Sequence, residues 1–469
     1  MNRRGFGLLA GGSLIALRAA RAKAQAIVAN ASQLGTTLTP LGAEMAGNAD
    51  GSIPAWTGGM TSMPAGVQAV GHYTPDLFPA EQPIVIVNAS NMEQYADRLP
   101  LSVMAMMKKY GYSIKVYPTH RTAAAPQSVY DNTKANLGRA KFVSQDPVGG
   151  RYGFEGAYGG IPFPIPDLTN PLTAGAQIIA NHLSFWRGFC YGYKASSWVV
   201  SSGNTNDLVM AFSAKDQFRY PYYDPAGSIE NYNNILQYQF TPFDGPQNLV
   251  GQELVTWEFT KFTPEPSEAW ELLNGEGRVR RAPEVSFDTP SPSANGVCQY
   301  DEYLGFNGSM EKYDWKCLGK KEMYIPYNNN KLYGARAQDA HKAHFLDPDL
   351  VRWEKHRCWV VEATLHPGER NVLAKRVFYV DEDTWQMAAA DEYDGNMNLY
   401  KANLNYNYCQ PSLPGVVYGQ NTINNLQVDD YASTNGVWDL LRYPNNGFDY
   451  SVIPAITFDP SQMAAASQY

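Results

Sequence analysis

The sequence predicts a mainly β protein of the α+β class, whose long antiparallel strands form a curved sheet around an apolar interior. The first observation is a meander between residues 357 and 406, where four strand-like segments are separated by turn signals. The second is strand length, because these segments have eight or nine residues and most strands have about five or six. The third is composition: the 469 residues include 31 Tyr and 10 Trp, and aromatic residues favour strands.

The meander is predicted to form consecutive antiparallel strands. Each of its first three segments is followed by a short turn rich in Gly, Pro or Asp, which is how antiparallel neighbours are joined. Another hairpin is predicted upstream at Asn274-Gly275, a dipeptide that suits a two-residue turn. The predicted strands span residues 254–262, 270–273, 278–281, 357–365, 372–380, 385–393 and 399–406.

Helices are predicted in the first part of the chain. Ser90 and Glu93 have the spacing of a capping box, which predicts a helix from there to residue 99. A second helix is predicted at residues 101–110, closed by Gly111, and a short strand at 113–117. An apolar stripe at helical spacing predicts a third helix at residues 174–187.

The first 26 residues are predicted to be an export signal of the twin-arginine type. Arg3-Arg4 begins a basic stretch, a weakly apolar run follows, and Ala24-Gln25-Ala26 has the small-residue pattern of a cleavage site. Residues 27–469 are predicted to form one large domain, with a loop- and helix-rich part at 27–190 and the β-meander at 250–410. The sequence therefore predicts export to the periplasm, and leaves open a peripheral place at the outer membrane.

Charge and hydropathy argue against two classes of protein. The net charge is −8, and it becomes −13 without residues 1–26, which carry five basic and no acidic side chains. An acidic protein of this kind lacks the basic face that neutralises phosphates, so nucleic-acid binding is not expected. No stretch after residue 26 approaches the roughly 18 apolar residues of a membrane-spanning helix, so no transmembrane segment is predicted in the mature chain.

Five cysteines, an odd number, cannot all pair with one another. Cys298 and Cys317 are the closest pair in sequence and are predicted to form a disulfide in an oxidising compartment, with two free thiols as the alternative.

One pair of histidines has a spacing that metal sites on helices use. His341 and His344 could share a helix face and bind a metal ion. A helix start at Asp347-Pro348 explains the same stretch without an ion, because Asp caps helices and Pro suits their first turn. The sequence therefore predicts no metal site, no cofactor and no catalytic residue.

An apolar cavity wall is predicted from strand alternation. Every second side chain of a strand points to the same face, so large apolar residues at alternate positions mark a face that can line an interior. The candidates are Trp257, Phe259, Trp359, Val361, Leu365, Trp385, Met387, Tyr400, Leu404 and Tyr406. A place in a close-packed core is the alternative for each of them.

Several strings along the chain resemble one bacterial family. They are LTPLGAE (38–44), GNADG (47–51), PAWTGG (54–59), VYPTHR (116–121), GGIPFPIP (159–166), NHL (181–183), RVRRAP (278–283) and WVVEATL (359–365). Together they resemble the family of unknown function 1329, often labelled outer-membrane lipoprotein-sorting proteins. The resemblance implies the fold of the periplasmic lipoprotein carriers, a large, curved and unclosed antiparallel β-barrel with helices covering its open face. It also implies two partners, a resistance-nodulation-division transporter and an outer-membrane β protein.

The predicted function is a non-enzymatic periplasmic carrier or binding protein for a lipid or another hydrophobic molecule, working with those partners. An acyl chain gains about 0.8 kcal/mol for each CH₂ group that leaves water, so a covered apolar cavity can hold it without covalent chemistry. The sequence contains neither G-x-S-x-G nor H-E-x-x-H. Two alternatives stay open: an enzyme acting on a hydrophobic substrate, with His120 or His182 as its base, and a scaffold subunit of an envelope transport complex.

Overall fold

The structure is a computed structural model that describes residues 31–143, 153–204, 207–261, 267–275, 277–282, 287–413 and 415–463. The predicted export signal at residues 1–26 lies outside the described residues. None of the helices within these ranges is both long and apolar enough to cross a membrane.

Most strands belong to one large sheet. The strands are β1 (Val85–Val87), β2 (Ile114–Val116), β3 (Lys141–Phe142), β4 (Phe154–Glu155), β5 (Cys190–Val200), β6 (Val209–Arg219), β7 (Ile235–Gly245), β8 (Glu253–Phe259), β9 (Ser267–Leu272), β10 (Val279–Arg281), β11 (Tyr313–Pro326), β12 (Trp353–Leu365), β13 (Lys375–Asp381), β14 (Met387–Tyr393), β15 (Leu399–Gln410), β16 (Val416–Asn425) and β17 (Tyr431–Gly436). Fifteen of them form the sheet, in the order β1-β2-β12-β13-β14-β15-β16-β17-β5-β6-β7-β8-β9-β10, with β11 also paired to β12. Strands β3 and β4 form a separate pair.

The sheet is antiparallel and open. Its neighbours run antiparallel, apart from one parallel pair between Trp353 of β12 and Val116 of β2. Among the described strands, β10 at one end of the order does not pair with β1 at the other. The predicted mainly β fold with an unclosed antiparallel sheet is therefore confirmed.

Helices lie against this sheet and in its connections. The α-helices are α1 (Leu101–Tyr110), α2 (Gln127–Asn136), α3 (Pro171–Leu183), α4 (Asn330–Gly334) and α5 (Ala337–Ala340). Short 3₁₀ helices are Met92–Arg98, Pro221–Tyr223, Pro292–Ala294, Tyr300–Glu302, Pro444–Asn446, Ala455–Phe458 and Pro460–Gln462.

The sheet curls around helix α3. In the first half of the helix, Gly175 packs so closely on β11 that an added Cβ would collide with the backbone oxygen of Trp315. At the C-terminal end, Leu183 borders a crevice together with Leu236 of β7 and Phe259 of β8. Strands β11 and β8 lie near opposite ends of the sheet order, so one helix can meet both only because the sheet is strongly curved.

The two faces of the sheet have different covers. Phe378 of β13 packs on Trp315, near α3, and this defines the inner face. Asp391 of β14 accepts hydrogen bonds from the backbone nitrogens of Leu101 and Ser102, which begin α1, and this defines the outer face. Both faces of the central strands are therefore buried, as in a layered domain.

The meander and two of the three helices agree with the sequence predictions. Helix α1 has the predicted bounds, and the strands between residues 357 and 406 pair consecutively. Helix α3 is found where a helix is predicted, but it begins three residues earlier and ends four residues earlier than the predicted 174–187. The capping box is wrong: the hydroxyl of Ser90 donates to Asn88, Glu93 forms an ion pair with Lys108, and the segment is a 3₁₀ helix. Strands β1, β3 to β7, β11, β16 and β17 were not predicted.

The predicted Cys298–Cys317 disulfide is also wrong. All five cysteines are free and buried. Cys298 lies in a small hydrophobic cluster with Val199 and Ile423, whereas Cys317 belongs to the main core. Burial in apolar surroundings raises the pKa of both thiols, so they are weakly reactive.

Candidate functional site

The predicted wall residues do not lie on one face. Cross-strand partners share a face, and the register links Val361 to Phe378, Ala390 and Asn403. The adjacent row links Val360 to Tyr379, Ala389 and Leu404. Val361 therefore points to the inner face and Leu404 to the outer face. By the same alternation, Trp359 and Leu365 lie with Val361, and Tyr406 lies with Leu404.

Six of these residues are packed in the main core. Trp359, Val361, Trp385, Met387, Leu404 and Tyr406 are all buried and belong to it. The indole of Trp385 stacks on that of Trp359 and donates from Nε1 to the backbone oxygen of Leu41 at 2.8 Å. These six residues are surrounded by other core side chains, as in a filled interior. Their role as ligand contacts stays a prediction.

The other four residues are partly buried and lie in three places. Leu365 and Tyr400 are at strand positions near the edge of the core, and the hydroxyl of Tyr400 accepts a hydrogen bond from the side-chain amide of Asn425. Trp257 packs on Trp270 and donates to the backbone oxygen of Phe458. Phe259 borders the crevice beside α3.

This crevice is the candidate ligand site. It is a small surface crevice that is partly open to solvent. Its walls come from the end of α3, from β4, β7 and β8, and from the segment 287–308. Most of the lining surface is apolar. The apolar lining residues are Phe154, Leu183, Leu236, Phe259 and Phe287, and the others are Glu258, Thr260, Ser267, Asn307 and Gly308. A mainly apolar pocket with a few polar groups is typical of a small-molecule site.

Among the described residues that line the crevice, Glu258 is the one with an ionisable side chain. Its carboxyl accepts a hydrogen bond of 3.1 Å from the side-chain amide of Asn307. Burial raises the pKa of Glu258 above its usual value, although the hydrogen bond from Asn307 and the charge of Arg187 lower it. The crevice therefore presents one weakly acidic hydrogen-bonding group among apolar surfaces.

A second notable feature is a buried charged cluster at the turn after β13. Arg121 binds both carboxylate oxygens of Asp383, at 2.6 and 2.8 Å, and lies 3.7 Å from Glu382. Lys320 forms a 2.6 Å ion pair with Glu382. These groups come from segments far apart in the chain, so no local sequence pattern predicts the cluster.

His356 of β12 lies inside this cluster. Its Nε2 is 3.2 Å from Glu354, and its Nδ1 is 3.6 Å from Asp381 and 3.9 Å from Asp383. Burial lowers the pKa of His356, but the hydrogen bond to Glu354 and the neighbouring carboxylates outweigh this and raise it. Burial raises the pKa of Asp381 to about 7, against the lowering charge of His356.

Several strings that carry the family resemblance meet at this cluster. Glu44 ends the string 38–44 and pairs with Lys320. Asp50 lies in the string 47–51 and pairs with Lys355 of β12. Arg121 ends the string 116–121. Three separate parts of the N-terminal half are thus tied by charge to strands of the meander.

The histidines considered from sequence are engaged elsewhere. His182 accepts from the backbone nitrogen of Met387 at 3.1 Å and its Nε2 lies 3.0 Å from the backbone oxygen of Phe306. Burial lowers the pKa of His182 to about 3, so it is neutral. His120 stacks on Phe78 and lies 2.7 Å from Glu81. His341 is bonded to Ser433 and His344 stacks on Tyr110, so these two are not joined in one metal site.

Comparison with known proteins identifies the family. The sequence signature of DUF1329, a family of proteins of unknown function, matches residues 86–439. The chain belongs to the DUF1329 family. An uncharacterised protein of Pseudomonas aeruginosa, PA3922, is 39% identical over 396 residues, which cover 82% of this chain and 83% of the relative.

Solved structures of similar proteins include a DUF1329 member. A DUF1329 protein of Desulfovibrio piger is 15% identical, with a TM-score of 0.42 over 63% of this chain and 99% of the other. A putative outer membrane lipoprotein-sorting protein domain from Vibrio parahaemolyticus is 13% identical, with a TM-score of 0.41 over 62% and 99%. A LolA superfamily protein from Nitrosomonas europaea is 9% identical, with a TM-score of 0.35 over 61% and 97%.

Proposed function

We propose that this DUF1329 protein binds a lipid or another hydrophobic molecule in the periplasm, in the crevice beside α3, and carries it without chemical change. The observation that supports this most is the apolar crevice between a curved sheet and a helix, since burial of apolar surface is a sufficient driving force for binding. The proposal agrees with the name lipoprotein-sorting proteins, which is often given to the family that this sequence resembles.

The crevice is a more suitable place for a ligand than the centre of the meander. At the centre, the ring of Phe306 packs on Trp315 and Phe378, which fill the inner face. In the crevice, aromatic and aliphatic side chains border space that opens to solvent. A ligand can enter there without displacement of the core, whereas a core at native packing density does not admit added volume.

The partners belong to the same proposal. The resemblance predicts a resistance-nodulation-division transporter and an outer-membrane β protein, which would deliver and receive the ligand. Co-purification of the native protein with either one tests this, and a scaffold subunit would stay bound to the complex where a carrier would be released. An enzyme remains the alternative function, and turnover of a co-purified hydrophobic molecule would favour it.

Filling the crevice tests the site. The matched variants are Leu183→Trp, which adds volume in the crevice, and Leu168→Trp, which adds the same volume at an exposed position. Delipidated protein would be titrated with a dansyl-labelled undecanoic acid and followed by fluorescence. We expect the parent and Leu168→Trp to bind it equally, and Leu183→Trp to bind at least tenfold more weakly. A parent that does not bind the probe, together with an empty native preparation by mass spectrometry, would contradict the proposal.

A further inference from the structure

Three potential metal ligands of the charged cluster face one another. His356, Asp381 and Asp383 each offer one ligand atom, and these atoms all lie within 4.8 Å of one another. The Nδ1 of His356 is 3.6 Å from Asp381 Oδ1 and 3.9 Å from Asp383 Oδ2. These distances are too long for hydrogen bonds. They are close to the separation of about 3.4 Å between ligand atoms that surround a zinc ion at about 2.1 Å.

The imidazole of His356 is oriented with its free nitrogen toward the two aspartates. Its other nitrogen, Nε2, is 3.2 Å from the Oε2 of Glu354, so the ring proton belongs on Nε2. Glu354 is itself fixed by Arg352 at 2.5 Å and by the side-chain amide of Asn328 at 3.0 Å. A carboxylate that holds the far nitrogen of a histidine is the usual outer support of a metal-binding histidine.

Two polar groups in this cluster lack hydrogen bonds. Asp381 uses Oδ2 to accept from the backbone and hydroxyl of Thr384, at 2.9 and 2.7 Å, while Oδ1 has no hydrogen-bond partner among the described residues. The hydroxyl of Tyr327, whose ring stacks on His356 at 3.9 Å, also has none among them. Both residues are fully buried, where an unpaired polar atom costs about 1–3 kcal/mol.

The ion pairs of the cluster leave an excess of negative charge. Six carboxylates take part: Glu44, Glu81, Glu354, Asp381, Glu382 and Asp383. Four side chains with permanent positive charge face them: Arg121, Lys320, Arg352 and Arg357. Carboxylates thus outnumber the permanent cations in this cluster, and buried charges are tolerated when they are paired or bind a metal.

We propose that His356, Asp381 and Asp383 bind one divalent metal ion, with zinc as the ion that one imidazole and two carboxylates suit best. This departs from the sequence prediction of no metal site, and it does not rest on the proposed carrier function. Asp383 keeps its two hydrogen bonds from Arg121, and Asp381 binds through the oxygen that has no partner. The site joins β12 to the turn after β13, so the ion stabilises the contact between the meander and the N-terminal segment that carries Arg121.

Metal content after refolding tests the proposal. The full mature chain would be unfolded, stripped with a chelator, refolded with zinc chloride and desalted, and its zinc measured by plasma mass spectrometry. We expect about one zinc per chain, and visible absorption bands of a bound ion when cobalt(II) replaces zinc. His356→Gln and Asp381→Asn should hold at least tenfold less zinc than the parent.

The matched control is His341→Gln, which removes a buried histidine that is bonded to Ala337 and Ser433 outside the cluster. It should keep the zinc content of the parent. A refolded parent with less than a tenth of an equivalent of zinc and no cobalt bands would overturn the proposal, even if a variant fails to fold. Equal zinc in the parent and His356→Gln would overturn it too.

Discussion

Val361 and Leu404 lie on opposite faces of the same sheet, because their cross-strand rows are adjacent in the register. Val361 is packed on the inner face beside Phe378, and Leu404 on the outer face of β15, the strand that α1 contacts. Both are completely buried. They cannot line one cavity, so substitutions at these two positions test two different packed layers.

Val361→Trp and Leu404→Asp should both destabilise the protein strongly. The first adds volume to a close-packed face, which costs about 1–3 kcal/mol or more, and the second buries a charge in an apolar layer. Calorimetry should show a marked fall in melting temperature for both, with no change for Leu168→Asp at an exposed site. Near-parental melting of Val361→Trp would mean that the inner face holds a cavity after all.

Asp391→Ala should loosen helix α1. The carboxylate accepts from the backbone nitrogens of Leu101 and Ser102, at 3.0 and 2.8 Å, and from the hydroxyl of Tyr379 at 2.9 Å. Loss of these bonds at a helix start should cost about 1–3 kcal/mol of unfolding free energy. Denaturant titration measures this. Tyr379→Phe removes one hydrogen bond and keeps the helix cap, so it should lower the free energy of unfolding by less than Asp391→Ala does. A larger loss of stability in Tyr379→Phe than in Asp391→Ala would contradict this account.

Asp216→Asn should change the pH dependence of stability. Burial raises the pKa of Asp216 to about 6, although the hydroxyl of Thr241 donates to it at 2.6 Å. The folded state therefore prefers the protonated acid, and the ionised group costs stability as pH rises from about 4 to about 6. Asn avoids this cost, so the variant should match the parent at pH 4 and exceed it above pH 6, by up to about 3 kcal/mol. Equal stability at pH 7.5 would argue against a raised pKa.

Reducing agents should leave the protein unchanged. All five thiols are free and buried, so native protein should react slowly with a thiol reagent and unfolded protein should expose five reactive groups. The melting temperature should be the same with and without dithiothreitol. Three reactive groups after unfolding without reductant would indicate one disulfide.

Glu258→Gln should alter the choice of ligand head group. In an apolar crevice a carboxyl group disfavours a second carboxylate and accepts a hydrogen bond from an alcohol or amine. We therefore expect the parent to bind a long-chain alcohol or amine more tightly than a fatty acid of equal length at pH 7.5, and Glu258→Gln to reduce that difference. Competition with the dansyl probe measures both. An unchanged preference in the variant would show that Glu258 does not contact the head group of the ligand.

The sequence predicts elements whose pattern is local. The meander strands from 357 to 406 are separated by clear turns, and α1 ends at Gly111, which adopts a left-handed conformation with a φ of 69°. Strand β5 was missed because most of its positions, Tyr191 and Tyr193 among them, are buried on both faces and show no simple alternation. Strand β11 was missed because a bulge between Cys317 and Gly319 interrupts its register.

The candidate sites were less predictable than the fold. Phe259 is a wall candidate from sequence because it is a large apolar residue at an alternate strand position, but its crevice neighbours Phe154 and Leu183 come from other parts of the chain. Asp381 and Asp383 lie just after the second predicted meander strand, where a turn rich in Asp is expected, and the hydroxyl of Thr384 donates to Asp381 there. The contacts with His356 and Arg121 depend on tertiary structure, which one sequence without an alignment does not reveal.

The close contact of Gly175 with Trp315 limits how the crevice can open. The first half of α3 rests directly on the backbone of β11, so the whole helix cannot move away from the sheet without loss of that contact. Leu183, at the C-terminal end of α3, borders the crevice. His182, beside Leu183, is likewise bonded to the backbones of Met387 and Phe306, so α3 is anchored in both halves. The crevice therefore has one rigid wall, and a longer ligand has to be accommodated by the segments on its other side or extend into solvent.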